Sequence, residues 1–294
     1  MNDPINFEIE SLAARYELHP DRQDVFVEGV SDVGLLRAFL ADQGLNAVSV
    51  FPIDVVNVAE EKVLGRDLPH PNKRSEVITL AHELVAYGVS SRQAVCIADS
   101  DLEKLFAQQN LHCSLLLLTD YSSMEMYGFS EAVVQRVLTI VSPDSGFSGA
   151  QLLHSLAPTL TFLFAARSAN VKLNRGLVWI ENLHRFCKIV RGKFLFDSGE
   201  FLRRYALVRL DTDARSQFVA KLEEINTMHC VDMRFKMRGH DFVYLLAWFL
   251  RTSEKSNHLT EEAVYQMLYI SIRPTDISGE HLFIELVKRL RQKR

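Results

Sequence analysis

The chain has 294 residues, 48% of them hydrophobic, so it can bury a sizeable core and is long enough for two domains. Its longest apolar run, FVYLLAWFL at 242–250, is too short to span a bilayer, and the first twenty residues lack the basic and apolar regions of a signal peptide, so a cytoplasmic protein with no membrane partner is expected. The net charge of −4 hides an asymmetry: residues 1–150 carry 10 Lys/Arg and 22 Asp/Glu, residues 151–294 carry 23 and 15. Acids suited to metal in one half and cations suited to a polyanion in the other are one reading; ordinary charge scatter is the other. Cys96, Cys113, Cys187 and Cys230 are scattered without a CxxC pair, which predicts reduced thiols rather than a disulfide framework or a zinc site.

In chain order, a helix is expected over roughly 6–17, within a leading segment 1–20. DVFVEG reads as a buried strand, SDVGLLRAFLADQG as a helix closed by Gly44, and AVSVFPID as a second strand. The loop VNVAEEKVLGRDLPHPN leads to a helix at KRSEVITLAHELVAYG. QAVCIADS is a third strand, DLEKLFAQQN a short helix and HCSLLLLTD a fourth strand. Continuous apolar strands alternating with helices predict an open parallel α/β sheet, βαβαβαβ, over 21–141. The Ser/Gly/Pro-rich stretch SPDSGFSG (142–149) predicts a boundary, and 150–294 reads as a mainly α-helical, basic domain. Its helical patterns, with EAVVQRVLTIV just before the boundary, are GLVWIENLHRFCKIVRG, QFVAKLEEINTMH, HDFVYLLAWFLRTS, EEAVYQMLYISI and GEHLFIELVKRLRQ.

Two of the strands end abruptly in carboxylates. In parallel α/β sheets functional groups gather at the carboxyl ends of strands, and acids beside an apolar core need a compensating charge. Glu28 ends the first strand and Asp32 follows by four residues; Asp99 and Asp101 end the third; Asp120 ends the fourth, with Glu125 next in TDYSSMEMYGF. Hard oxygen donors without His or Cys suit Mg²⁺ or Mn²⁺ rather than Zn²⁺. Two such ions would clamp a phosphodiester displacement. Each acid also has a local reading: Ser100 with Glu103 forms a capping-box pattern, and Ser31 could cap a helix whose first turn holds Asp32.

E-G-x-S-D after the first strand and D-x-D after the third resemble the TOPRIM fold of topoisomerases, primases and OLD-family nucleases. The set VEGVSD, DSD, TDY…Glu125 and RGHDF, with His240 and Asp241, further resembles a TOPRIM-like branch of anti-phage effectors, the AriB-type proteins of PARIS defence systems. The likeness spans about 20–130, and beyond that one short motif. It implies a metal-dependent nuclease held silent by an AriA-like ABC-type ATPase, released by a phage trigger and acting as a homodimer on tRNA so that translation stops. It also implies that Glu28 serves as general acid/base or shares a metal, that Asp99 and Asp101 coordinate Mg²⁺, and that Asp32 and Glu125 are candidates for a second ion. Lys73 or Arg74, opening the helix at NKRSEV, could supply a basic residue near the scissile phosphate.

From Arg167 to Arg215 there are 11 Lys/Arg and 5 acids, interleaved with Trp179, Phe186, Phe194, Phe196, Phe201 and Tyr205. Candidate nucleic-acid contacts are Arg185, Lys188, Arg191 and Lys193, then Arg203 and Arg204, then Arg234, Lys236 and Arg238 beside the GHD motif. The rings could stack on bases or simply fill a core. His240 could shuttle a proton or serve a structural role, and Asp241 could cap its helix. These residues alone do not choose RNA over DNA, and no RRM or KH signature is present. A non-catalytic docking or sensor module, binding the ATPase or nucleic acid, is the competing reading; primase-like nucleotidyl transfer lacks an accompanying zinc module or NTP-cradling loop.

Overall fold

The apolar runs read as strands pair into a sheet. The structure, a computed structural model, describes residues 6–65, 72–101, 111–143, 146–190, 193–254 and 259–292. A short ladder, β1 (Phe7–Glu8) beside β4 (Val56–Asn57), stands apart from the main sheet of β2 (Asp24–Val27), β3 (Ser49–Pro52), β5 (Ala94–Ala98) and β6 (Leu116–Leu118). The main sheet has the order β3-β2-β5-β6 and is parallel throughout, with Phe26 in register with Phe51 on one side and Cys96 on the other. Every residue of β2 and β5 is buried, as strands covered on both faces must be.

The helices of this part are α1 (Ile9–Leu18), α2 (Val30–Asp42), α3 (Glu60–Leu64) and α4 (Lys73–Ala86). Ile9, Leu12 and Tyr16 of α1 join Val77, Ile78, Ala81 and Leu84 of α4 over Phe26 and Cys96, making one apolar layer. The chain leaves β2 through α2 to reach β3 on one side, and comes back through α4 to β5 on the other. The crevice outside the carboxyl ends of β2 and β5 is therefore the topological switch point, where ligands bind in open α/β sheets. The short helix expected at DLEKLFAQQN falls on 102–110, outside the described residues.

Two compact units make up the chain: 1–120 with 272–294, and 121–271. The final segment, with α11 (Pro274–Ile277) and α12 (His281–Arg291), thus belongs to the sheet unit. Phe283 of α12 meets Phe39 of α2 edge to face at 4.8 Å, and Arg289 donates to the Ser114 and Leu116 carbonyls. Arg289 therefore fastens α12 to β6 and the residues before it. By unit, the charge count becomes 15 Lys/Arg against 22 Asp/Glu in the first and 18 against 15 in the second, a milder contrast than the two halves suggest.

The second unit is helical around a small hairpin: α5 (Glu131–Val141), α6 (Gly149–Lys172), β7 (Cys187–Val190), β8 (Lys193–Phe196), α7 (Ser198–Leu202), α8 (Thr212–Thr227), α9 (Gly239–Glu254) and α10 (Glu261–Ser271). Two expectations need correction. GLVWIENLHRFCKIVRG is not a helix: its end, Cys187–Val190, pairs antiparallel with Lys193–Phe196. Apolar residues at three- and four-residue spacing imitate a helix there, but cross-strand pairing with KFLF wins. Conversely, α6 lies where no helix is expected. It buries Leu152, Leu153, Leu156, Leu160, Leu163 and Phe164 on one stripe, but Pro158 sits on its exposed face with Gln151 and His154, and a proline inside the run reads as a helix breaker. Gly149 opens α6 inside this unit, where an added Cβ would stand 2.8 Å from Gln135 N, so this glycine serves a close helix–helix approach. All four cysteines are free, and no helix among the described residues is long and apolar enough to cross a membrane.

Candidate functional site

The switch-point crevice is built from the residues that directly follow β2 and β5. Glu28 Oε1 accepts the Asp99 backbone N–H at 2.7 Å, so the acid of VEGVSD is tied to the backbone of the DSD turn. Asp32, at the third position of α2, accepts the Gly29 N–H at 3.0 Å. The helix is capped from Gly29 rather than from Ser31. Ser100 is buried and donates its N–H to Thr119 Oγ1 at 2.9 Å, which fixes the turn between the two aspartates. Asp101 sits in the left-handed region at φ +44°, uncommon for residues other than Gly but one that Asp tolerates better than most.

Of the two cations that open α4, Arg74 faces the acids. It is buried, its Nε donates to the Asp99 carbonyl at 2.7 Å, and it lies 3.4 Å from Asp101 Oδ2. Lys73 is half-exposed and held by Asp54 at 2.5 Å and Glu76 at 3.3 Å. Asn72 supports both by capping α4, accepting Ser75 N–H at 2.8 Å while Ser75 Oγ takes its own N–H. The signal was legible: Arg74, Ile78 and Ala81 follow one another at helical spacing, and the last two are core.

Burial lifts the Glu28 carboxyl from 4.5 to about 7; the Asp99 N–H opposes the rise, the Asp32 and Asp101 charges add to it, and Arg74 opposes it again. The crevice thus holds more negative charge than its one guanidinium offsets. The donor set is all oxygen, the chemistry of Mg²⁺ or Mn²⁺. Among the described residues, no three His, Cys, Asp or Glu side chains stand close enough together to hold an ion in this arrangement. Asp120 is used otherwise: its Oδ2 accepts the Leu282 N–H at 3.0 Å and anchors the start of α12.

Glu125 and the GHD motif belong to the second unit. Glu125 is buried in a short 3₁₀ turn, Met124–Gly128. Its Oε1 lies 3.5 Å from His240 Nδ1, too long for a strong hydrogen bond, and its Oε2 is buried with no hydrogen-bond partner among the described residues. Gly239 packs against it so closely that a Cβ would overlap Ser123 Oγ. Asp241 does not cap its helix but takes Arg167 in a fork, at 2.9 and 3.2 Å, while the Arg167 guanidinium lies 3.4 Å from the Trp179 ring centre. His240 itself is mostly exposed.

The candidate nucleic-acid cations sort into distinct groups. Arg185, Lys188 and Lys193 are exposed and form no ion pair among the described residues. Arg203 and Arg204 are also exposed but share Glu200 at 2.7 and 2.5 Å, holding its carboxyl down at about 2. Arg234 grips Asp232 at 2.6 Å and stacks on Tyr121; Lys236 is buried, donating to the Asn226 and Met228 carbonyls at 2.6 and 2.9 Å. Arg238 is half-buried, and Arg191 lies outside the described residues. The interleaved rings are core: Phe186, Phe201 and Tyr205 are buried and meet each other and Trp179 at 5.0–5.4 Å. The buried ones have no open face with which to stack on a base. Neither a protein-family model nor a curated protein matches this sequence.

Proposed function

We propose that the acids at the ends of β2 and β5 hold Mg²⁺ or Mn²⁺ and that the chain is a TOPRIM-like, metal-dependent nuclease. The observation that carries the reading is the contact of Glu28 with Asp99 at the switch point, in a crevice where unbalanced charge and burial lift Glu28 to about 7. Glu28, Asp99 and Asp101 would hold the ion, with Asp32 as a further donor. A bound divalent ion supplies charge neutralisation at a phosphodiester and an acidified water. Without an ion Glu28 sits near half-protonation at neutral pH; a divalent ion beside it would favour its carboxylate, the form that can take a proton from an attacking water. Arg74 steadies the Asp99–Asp101 turn and places a fixed positive charge beside it.

The four motifs VEGVSD, DSD, TDY…Glu125 and GHD support a place among toxic anti-phage effectors. On this reading the chain cuts tRNA as a homodimer once an ABC-type ATPase releases it. The test is cleavage of total tRNA and of plasmid DNA with Mg²⁺ or Mn²⁺, wild type beside Glu28→Ala. Metal-dependent cutting lost in the variant is expected. Cutting that survives Glu28→Ala removes this site from the reaction, and none from either substrate, with or without the ATPase, overturns the nuclease reading.

A second reading, a docking or sensor module, draws on one observation: Asp32 and Asp101 already have protein partners, a backbone N–H and Arg74. It predicts that Glu28→Gln leaves every cellular phenotype and ATPase binding intact, whereas the nuclease loses toxicity.

A further inference from the structure

The β7–β8 hairpin presents two unlike faces. Inward go Cys187 and Phe194, both buried, with Phe194 edge-on to Trp248 at 5.7 Å and Phe196 packed on Phe201 at 5.6 Å. These contacts hold the ribbon on a firm aromatic base. Outward go Lys188, Val190, Lys193 and Leu195, all exposed. The register pairs Lys188 with Leu195 and Val190 with Lys193, so the two lysines occupy diagonal positions of one face, with the two aliphatics on the other diagonal. Diagonal neighbours stand about 7–8 Å apart, the scale on which phosphates repeat along one strand. Arg185, exposed in the turn before β7, adds a third cation.

None of these three cations forms an ion pair among the described residues, in contrast to Arg203, Arg204 and Arg234, which carboxylates already hold. Among the described residues, the outer face of the two strands carries no aromatic ring to stack on a base. The chemistry fits a ladder of charge with no sequence readout, and the aliphatic pair can cover sugar carbons.

We propose that the outward face of this hairpin, with Arg185 beside it, is where the second unit grips the phosphodiester backbone of a nucleic acid. The choice of a polynucleotide over another polyanion rests on the nuclease reading; the charge geometry stands without it. Folded RNA and duplex DNA share this backbone, so the test carries both.

Binding is measured with the full chain carrying Glu28→Ala, so that the probe stays whole, against the same chain with Lys188→Gln and Lys193→Gln added. Both lysines are exposed, so the melting midpoint should not move. The probes are a folded RNA and a DNA duplex of similar length, titrated across a range of salt. The expected result is a several-fold weaker Kd, with the slope of log K against log salt reduced by about 0.7 to 0.9 for each lysine removed. Loss with RNA alone, or with DNA alone, names the source of the backbone. An unchanged slope on every probe the parent binds overturns the proposal, as does a parent that binds neither. If wild type cleaves in a Glu28-dependent manner while the slope stays unchanged, the hairpin fails and the nuclease stands. Hairpin-dependent binding without any Glu28-dependent cleavage gives the reverse.

Discussion

The Asp99 backbone N–H donates to Glu28 Oε1 over 2.7 Å, so the Glu28 carboxylate lies against the turn that carries Asp99 and Asp101 at the switch point of the sheet. This bond favours the ionised carboxylate, yet burial and two nearby aspartates outweigh it, and Glu28 rises to about 7. A group that must lose its proton in such a place strains the fold that holds it, and the strain is measurable.

Glu28 binds its proton more tightly in the folded chain, at about 7, than in the unfolded one, near 4.5. Its contribution is therefore fully favourable below 4.5 and is lost as pH rises through 7. Glu28→Gln removes the ionisation but keeps an acceptor for the Asp99 N–H. In EDTA the variant should gain roughly 1–3 kcal/mol on wild type between pH 5 and pH 8. Urea unfolding at the two pH values measures it, and a difference that does not change with pH refutes the raised carboxyl.

Arg74 pulls the Glu28 proton affinity down, so Arg74→Met should raise it. Under the nuclease reading the acidic limb of the pH–rate profile moves upward, and the maximal rate falls because the Asp99–Asp101 turn loses its brace. Lys73→Met, whose partners are Asp54 and Glu76, should leave that limb in place. Equal shifts for the two variants would contradict the orientation of α4.

How much of this was readable beforehand varies by residue. The strands and their terminal acids were legible because buried parallel strands are unbroken apolar runs and the acids interrupt them. The role of Asp120 was not, since its partner Leu282 N–H is 162 residues away along the chain and no local pattern points there. Helix α6 escaped because Pro158 interrupts its apolar stripe with a residue that reads as a breaker, though Ser148 and Gln151 do form the capping box that starts it. The hairpin escaped because its spacing imitates a helix until its partner strand is known. The cations were legible as charge only; which are free depends on where Glu200 and Asp232 fall.

Gly239 tests the tight packing around Glu125. A Cβ there would overlap Ser123 Oγ and stand 2.7 Å from Glu125 Oε2, and both side chains are buried. Gly239→Ala should destabilise by about 1–3 kcal/mol. Gly279→Ala, where nothing lies within 4 Å of the added atom, should be nearly silent. Thermal melts of the two variants decide it, and comparable midpoints would mean that the start of α9 is free to shift.

The Asp241–Arg167 pair separates an anchoring role for the GHD motif from a catalytic one. Both side chains are largely buried, Arg167 also lies over Trp179, and burial pulls its pKa down against the opposing pull of Asp241. Asp241→Ala strands a desolvated guanidinium and should cost about 3–5 kcal/mol. Arg167→Met strands the carboxylate instead. The double variant should be less damaged than the two single losses added together, with a coupling of about 1–3 kcal/mol, because neither charge is then left alone. Urea unfolding of all four chains closes the cycle. Had Asp241 served only in proton transfer, Asp241→Ala would unfold with wild type and lose activity alone; the bidentate geometry at 2.9 and 3.2 Å predicts that stability goes first.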